Sequence, residues 1–154
     1  MMHLVLDSSD AGSVHLNWMR MAMIMAEEAL AAGEVPVGCV FVRNGEAIAK
    51  ARNGTNEPRN ASRHAELEAI DLILANNDGG NRYPLSDTNL LFCGCENDKF
   101  EGCGSVLGVN APSEHSIHPA YDAIGGYLRE EAIMVLRRFY VTQNATGSSF
   151  LCKM

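Results

Sequence analysis

At 154 residues the chain is sized for one compact domain, and its 47% hydrophobic content supports a core and excludes global disorder. A formal net charge of -7 with a pI of about 5.1 excludes a uniformly basic, phosphate-gripping protein; an RNA substrate would need a local basic patch or a basic partner. No apolar run approaches the roughly 20 residues that span a bilayer. The first ten residues lack the basic start and cleavage site of a signal peptide, and five cysteines make an odd number for a disulfide framework. A reducing intracellular compartment, cytoplasm or nucleus, is the expectation.

Residues 1–15 read as a loose leader. A first helix is predicted from about Leu16 to Ala32, with Trp18, Met21, Met25 and Leu30 near one face and Gly33 as its stop. The methionine stripe is core packing in this reading. Val35-Pro36-Val37-Gly38-Cys39-Val40-Phe41-Val42 is a β-rich run, Asn44-Gly45 signals a hairpin turn, and Glu46 to Arg52 is the returning strand. A polar loop from Asn53 to Arg63 precedes a second helix over His64 to Leu74, with Ser62 as its cap and Leu67, Ile70, Leu72 and Ile73 available for burial. After a loop rich in Asn, Asp and Gly, Leu90 to Cys93 is a short strand candidate. Residues 108–126 read as irregular, Leu128 to Tyr140 as an amphipathic helix buried through Ile133, Leu136 and Phe139, and 141–154 as a mobile tail. The order α-β-β-α-β-α implies a three-layer α/β sandwich over one mixed sheet.

One triplet carries chemistry. His64-Ala65-Glu66 opens the second helix, and His-x-Glu at a helix start is the first half of a zinc deaminase site, whose second half is Pro-Cys-x-x-Cys. Such a site needs a metal to make hydroxide available near pH 7. It also needs a carboxylate to carry the proton to the base and then to the leaving amine, and a pocket that holds the base. His64 is the candidate zinc ligand and Glu66 the candidate proton carrier. The triplet alone is weak, because a histidine at a helix start followed by an acid that complements the helix dipole reads equally well as plain helix architecture.

The surrounding blocks narrow the choice. Arg20-Met21-Ala22-Met23-Ile24-Met25-Ala26-Glu27-Glu28-Ala29, Gly33-Glu34-Val35-Pro36-Val37-Gly38, Ala51-Arg52-Asn53 and Asn60-Ala61-Ser62-Arg63-His64-Ala65-Glu66 come in that order. Gly94-Cys95-Glu96-Asn97-Asp98-Lys99-Phe100-Glu101-Gly102-Cys103-Gly104-Ser105-Val106-Leu107 and Gly126-Tyr127-Leu128-Arg129-Glu130-Glu131-Ala132 follow. Together they resemble the tRNA adenosine deaminase family, which converts adenosine to inosine at the wobble position, 34, of tRNA anticodons. The cysteine-bearing stretch is most similar to the eukaryotic catalytic subunit, which pairs with a second, related subunit. The resemblance covers residues 16–140, the deaminase-like domain, with one gap. It implies an α/β/α sandwich with a cytidine-deaminase-like mixed sheet, a Zn2+ cofactor, a tRNA substrate and a heterodimeric partner. It also implies that His64 ligates zinc, Glu66 shuttles protons, Asn53 contacts the base, Val35, Pro36 and Val37 line the pocket, and Asn97 and Lys99 touch flanking RNA.

The sequence departs from that family at one place. The loop ending at Asp87-Thr88 runs almost directly into Leu91-Phe92-Cys93-Gly94-Cys95, and no Pro-Cys-x-x-Cys occurs anywhere. One strand and one helix, about 20–30 residues carrying both thiolate ligands, are missing near 88–91. The intact flanks resemble the scar of a skipped exon or of an error in the gene model. Catalytic zinc normally keeps three protein ligands, so His64 alone is not a site. Cys93-Gly94-Cys95 has one intervening residue where two are needed, with no proline before it, and Cys95 and Cys103 belong to the family's later strand and loop. Cys39 reads as a buried small hydrophobe and Cys152 as incidental. His3, His15, His115 and His118 have no ligand spacing and read as surface or loop residues. The excision should leave an unpaired sheet edge and exposed apolar faces. Three functions remain open: a tRNA adenosine deaminase or an inactive, truncated form of one, a non-catalytic subunit that binds a partner or RNA, and a deaminase of another nucleobase, nucleoside or nucleotide. The expectation for the purified chain is no stoichiometric zinc and no deamination.

Overall fold

The computed structural model describes residues 8–56, 60–76, 88–93 and 126–151. Its elements are α1 (Ser8–Ala31), β1 (Gly38–Arg43), β2 (Glu46–Arg52), α2 (Ala65–Ala75), β3 (Thr88–Cys93) and α3 (Arg129–Leu151), in the α-β-β-α-β-α order that the sequence implies. The strands form one sheet in the order β2-β1-β3, and both pairings are antiparallel. A parallel pairing, which a mixed sheet requires, does not occur among the described residues.

Alternation along β1 builds the three layers. Val40 and Val42 are buried with Leu91 of β3 against Ala22 and Ala26 of α1 and Ala132 of α3. Cys39 and Phe41 point to the other face, where they pack with Ala51 of β2 and Ala65, Ala69 and Ile73 of α2. Helices α1 and α3 therefore cover one face and α2 the other. On the outer side of the first layer Arg138 Nη1 meets Glu27 Oε1 at 2.6 Å, and the rings of His15 and Tyr127 meet edge to face at 6.1 Å. His15 is thus a half-buried helix residue, not a surface or loop one.

The seam between α1 and the sheet is made of alanine. Ala22, Ala26 and Ala29 are fully buried and Met25 nearly so, while Trp18, Met19, Met21 and Met23 pack around the edge. Small side chains bring the helix axis close to β1, and Gly38 is where the backbones meet. A Cβ built there would lie 2.4 Å from the Ala22 carbonyl oxygen and 2.5 Å from the Ala26 nitrogen.

Turn chemistry sets the ends. The Gly33 N–H bonds the Leu30 carbonyl (3.0 Å) and the Glu34 N–H bonds the Ala29 carbonyl (2.9 Å). With Gly33 at φ 76, this is a Schellman close. Asn44 and Gly45 both have positive φ, as a type I′ hairpin requires, and the register slips between Phe41 and Val42, a bulge on the β2 side.

Several boundaries differ from the sequence reading. The first helix starts at Ser8, eight residues early, because Ser8-Ser9-Asp10 supplies residues favoured at a helix N-terminus. The last helix runs to Leu151 rather than stopping near Tyr140, and it buries Ala132 and Val135 most deeply, with Ile133, Leu136 and Phe139 half-buried beside them. In α2 the buried stripe is Ala65, Ala69 and Ile73, an i, i+4, i+8 set, so Leu67 (46%) and Leu72 (47%) stand exposed. Among the described residues no helix is long and apolar enough to cross a membrane.

Gly38→Ala is expected to destabilise the fold by about 3 kcal/mol or more, since backbone on both sides leaves the methyl nowhere to go. Denaturant melts of the variant against the parent check this; a loss below about 1 kcal/mol would show that α1 can slide off β1 freely.

Candidate functional site

The strand ends carrying Gly38, Arg52 and Cys93 lie side by side, since Gly38 pairs with both of the others. Chain segments that enter and leave the sheet there converge. The Asn53 N–H bonds the Val37 carbonyl at 3.0 Å, and the Gly54 N–H bonds the Arg63 carbonyl at 3.0 Å. Arg52 Nη1 donates to the Asn53 carbonyl at 2.9 Å. Three segments, 33–37, 53–56 and 63–66, are thereby laced together.

Asn53 sits at the centre and is 3% exposed. Its Oδ1 accepts the Ala65 N–H at 2.9 Å, satisfying one of the orphan donors at the N-terminus of α2. His64 is the N-cap residue, extended at φ -75 and ψ 153, with no side-chain cap of its own, and its carbonyl accepts the first helical bond from Glu68 N–H at 3.1 Å. Ser62, expected as the cap, lies two residues too early. Its N–H and Oγ–H both go to Asn60 Oδ1, at 3.1 and 2.7 Å, forming a turn that delivers the chain to His64. Arg63 holds the first turns from outside, reaching Asp71 at 2.6 Å and Glu68 at 3.5 Å.

The helix start presents two side chains: His64, which is exposed, and Glu66, which is half-buried. Glu66 lies close enough to Cys39 to act on its thiol electrostatically. Burial pushes that thiol up from 9.0 to about 12, the Glu66 carboxylate adds to the rise, and a backbone hydrogen bond with Ala51 opposes it. Pro36 is buried, and Val35 and Val37 are half-buried. The structure therefore brings Asn53, Val37, Cys39 and the His64–Glu66 helix start to one end of the sheet. Asn97, Lys99, Cys95, Cys103, Cys152, His3, His115 and His118 lie outside the described residues.

One group at this rim, Glu34, has no role in the sequence reading. Glu34 is fully buried and accepts hydrogen bonds from segment 55–56; the signal was an acid held between Gly33 and the apolar run that begins at Val35. Cys39 was read as a small hydrophobe, and its burial and neutral thiol agree.

A profile of the cytidine and deoxycytidylate deaminase zinc-binding region matches residues 13–105. Over 152 aligned residues the chain is 37% identical to tRNA-specific adenosine deaminase 2 of Xenopus tropicalis, a match spanning 83% of this chain and 89% of that one. It is 39% identical over 154 residues to tRNA-specific adenosine deaminase subunit tad2 of Schizosaccharomyces pombe, spanning 84% of this chain and 38% of that one. A structure from studies of A-to-I editing by tRNA:A34 deaminases superposes with a TM-score of 0.45 at 29% identity, covering 54% of this chain and 61% of that one. The chain belongs to the cytidine and deoxycytidylate deaminase family and, within it, to the tRNA-specific adenosine deaminases. Because 83% of 154 residues is about 128, some 24 of the 152 positions aligned with the Xenopus protein are filled in that protein alone.

The family is defined by a zinc-binding region, so the donor set matters. Among the described residues no three His, Cys, Asp or Glu side chains are grouped to hold a metal. Cys39, the free thiol whose side chain is described, is buried among Phe41, Ala51, Ala65, Ala69 and Ile73. The described side chains by themselves do not make up a three-ligand set.

Asn53→Ala is expected to cost about 1–2 kcal/mol through the lost cap, and Asn53→Asp, which keeps the acceptor, to cost much less; denaturant melts distinguish them. For Cys39 the folded thiol titrates near 12 and its reference value is 9.0. Its contribution is therefore complete below about pH 9 and is lost as pH rises toward 12. Stability of the parent should fall more steeply across that alkaline window than stability of Cys39→Ala; parallel curves would refute the assignment.

Proposed function

We propose that this chain is a tRNA adenosine-deaminase subunit that keeps the base-side half of the wobble-adenosine site and, lacking the thiolate half, does not deaminate by itself. The observation that carries this reading is the bond from Asn53 Oδ1 to the Ala65 N–H, which joins the proposed base contact to the helix start bearing His64 and Glu66. Relatives at 37% and 39% identity support the substrate class by their names.

In this reading Asn53 contacts the target base and Val35, Pro36 and Val37 form one wall of its pocket. Glu66, beside the neutral Cys39, is the group placed to exchange a proton with the base. His64 is the single retained metal ligand. Zinc in this family makes hydroxide available near neutral pH. Here no Pro-Cys-x-x-Cys exists to complete the ligand set, and the roughly 24 positions present only in the Xenopus protein match the size expected for the missing strand and helix, placed near residues 88–91. Asn97 and Lys99 contact RNA flanking the base. A related deaminase-like subunit is the partner, and it supplies the positive surface that a chain of net charge -7 needs to hold RNA. The setting is cytoplasm or nucleus.

The test combines metal content with catalysis. Elemental analysis of the purified chain and of His64→Ala should both give far less than one zinc per chain. Incubation with an anticodon stem-loop bearing adenosine at position 34 should give no inosine above background, while the stem-loop binds in a salt-sensitive manner. About one zinc per chain that disappears in His64→Ala, or inosine formation that disappears in Glu66→Gln, would overturn the reading.

A further inference from the structure

Among the described residues only two polar side chains are classed as buried, Glu34 and Asn53, and both belong to the same rim. Asn53 has its place in the proposed site. Glu34 is 0% exposed and is the residue immediately before the Val35-Pro36-Val37 wall. Its Oε2 accepts the Thr55 N–H at 3.1 Å and the Thr55 hydroxyl at 3.0 Å, and its Oε1 accepts the Asn56 N–H at 2.7 Å. Asn56 binds back, donating from Nδ2 to the Gly33 carbonyl at 3.1 Å. The Asn60 N–H closes the turn beyond, on the Thr55 carbonyl at 3.0 Å.

A carboxylate withdrawn from water is costly unless its oxygens are satisfied. The backbone donors it satisfies here belong to a surface loop, where water could have served them. What the arrangement adds is fixed geometry: two loops, far apart in sequence, clamped at one spacing.

We propose that Glu34 is a positioning residue. Its carboxylate sets the distance between the Val35-Pro36-Val37 wall and Asn53, and through the Asn53–Ala65 bond it sets the direction of the His64-Ala65-Glu66 helix start. The functional side of this inference rests on the half-site reading above; the clamp itself rests on the hydrogen bonds alone.

The experiment uses the full chain with Glu34→Ala, Glu34→Gln, the milder Thr55→Val, and Ile73→Val as a core control away from the clamp. Two readouts are compared after correction for global stability from denaturant melts: amide hydrogen exchange at Ala65, and affinity for an anticodon stem-loop. Glu34→Ala should speed Ala65 exchange by about tenfold or more, the factor one lost hydrogen bond to a charged acceptor corresponds to, and should weaken stem-loop binding. Glu34→Gln, which keeps one acceptor oxygen, should fall between it and the parent. Ile73→Val should move global stability without a selective change at Ala65. Ala65 exchange unchanged relative to the control overturns the clamp. Faster exchange with unaltered RNA affinity overturns the positioning role. A parent that binds no stem-loop defeats the half-site reading and with it the functional role, while exchange at Ala65 still decides the clamp. If Glu34→Ala does not fold, Thr55→Val, which removes only the hydroxyl bond, decides both points through a smaller shift in the same direction.

Discussion

Helix α1 lies on the sheet at backbone distance, and most of the molecule follows from that contact. Gly38 leaves no room for a Cβ between β1 and the Ala22–Ala26 stretch, so the helix, the strand and the register of both neighbours are fixed relative to one another. Gly38 is also the first residue of β1. Among the described glycines Gly38 alone is pressed against neighbouring backbone, and it sits at the end of the sheet where Val37, Asn53 and the start of α2 gather. Close-packed backbone gives that end a firm base, on which the Glu34 and Asn53 hydrogen bonds then fix the loops.

The distribution of buried polarity points the same way. A buried polar group is tolerated only when its partners are supplied, and cores of this size dispense with them where packing alone suffices. Among the described residues the two that are buried, Glu34 and Asn53, both hold loops at one rim, and both do so through backbone N–H groups. The opposite end of the sheet is closed by Arg43 donating to the Thr88 hydroxyl at 3.1 and 3.3 Å, a half-exposed contact that asks nothing of the core. The asymmetry marks one end of the sheet as the end where geometry matters more than burial.

Much of this was legible in the sequence where a residue type has one physical use. Asn44-Gly45 dictates a hairpin, Gly33 a helix stop, and the pairing of Glu46–Arg52 with β1 follows from the turn between them. The His64-Ala65-Glu66 triplet stands out for its chemistry, and Asn53 through the family resemblance. What the sequence does not reveal has a common cause: contacts made between distant segments. Alanine scores as weakly apolar, so the seam at Ala22, Ala26 and Ala29 was hidden behind larger methionines, and the stripe at Ala65, Ala69 and Ile73 behind Leu67 and Leu72. Ser62 satisfied the local rule for a cap, yet the donor at Ala65 is served by Asn53, twelve residues upstream. Glu34 has no role legible in the sequence because its partners at Thr55 and Asn56 lie beyond the hairpin.

The exposed leucines bear on what a half-site means for the fold. Leu67, Leu72 and Leu74 of α2 and Leu90 of β3 are each close to half exposed, an unusual outlay of large apolar surface for a helix that packs on a sheet. An intact strand–helix unit following α2 would be the natural neighbour of such a surface. On the proposed reading, one excision removes the two thiolates and the apolar cover together. The two losses act differently. The missing ligands abolish the means of activating water, whatever the state of the fold. The Gly38 contact and the Glu34 and Asn53 ties are independent of that cover, because they lie within segments 22–38 and 53–65. On the proposed reading the base-side rim keeps its shape because the parts that position the site and the parts that power it come from different stretches of the sequence.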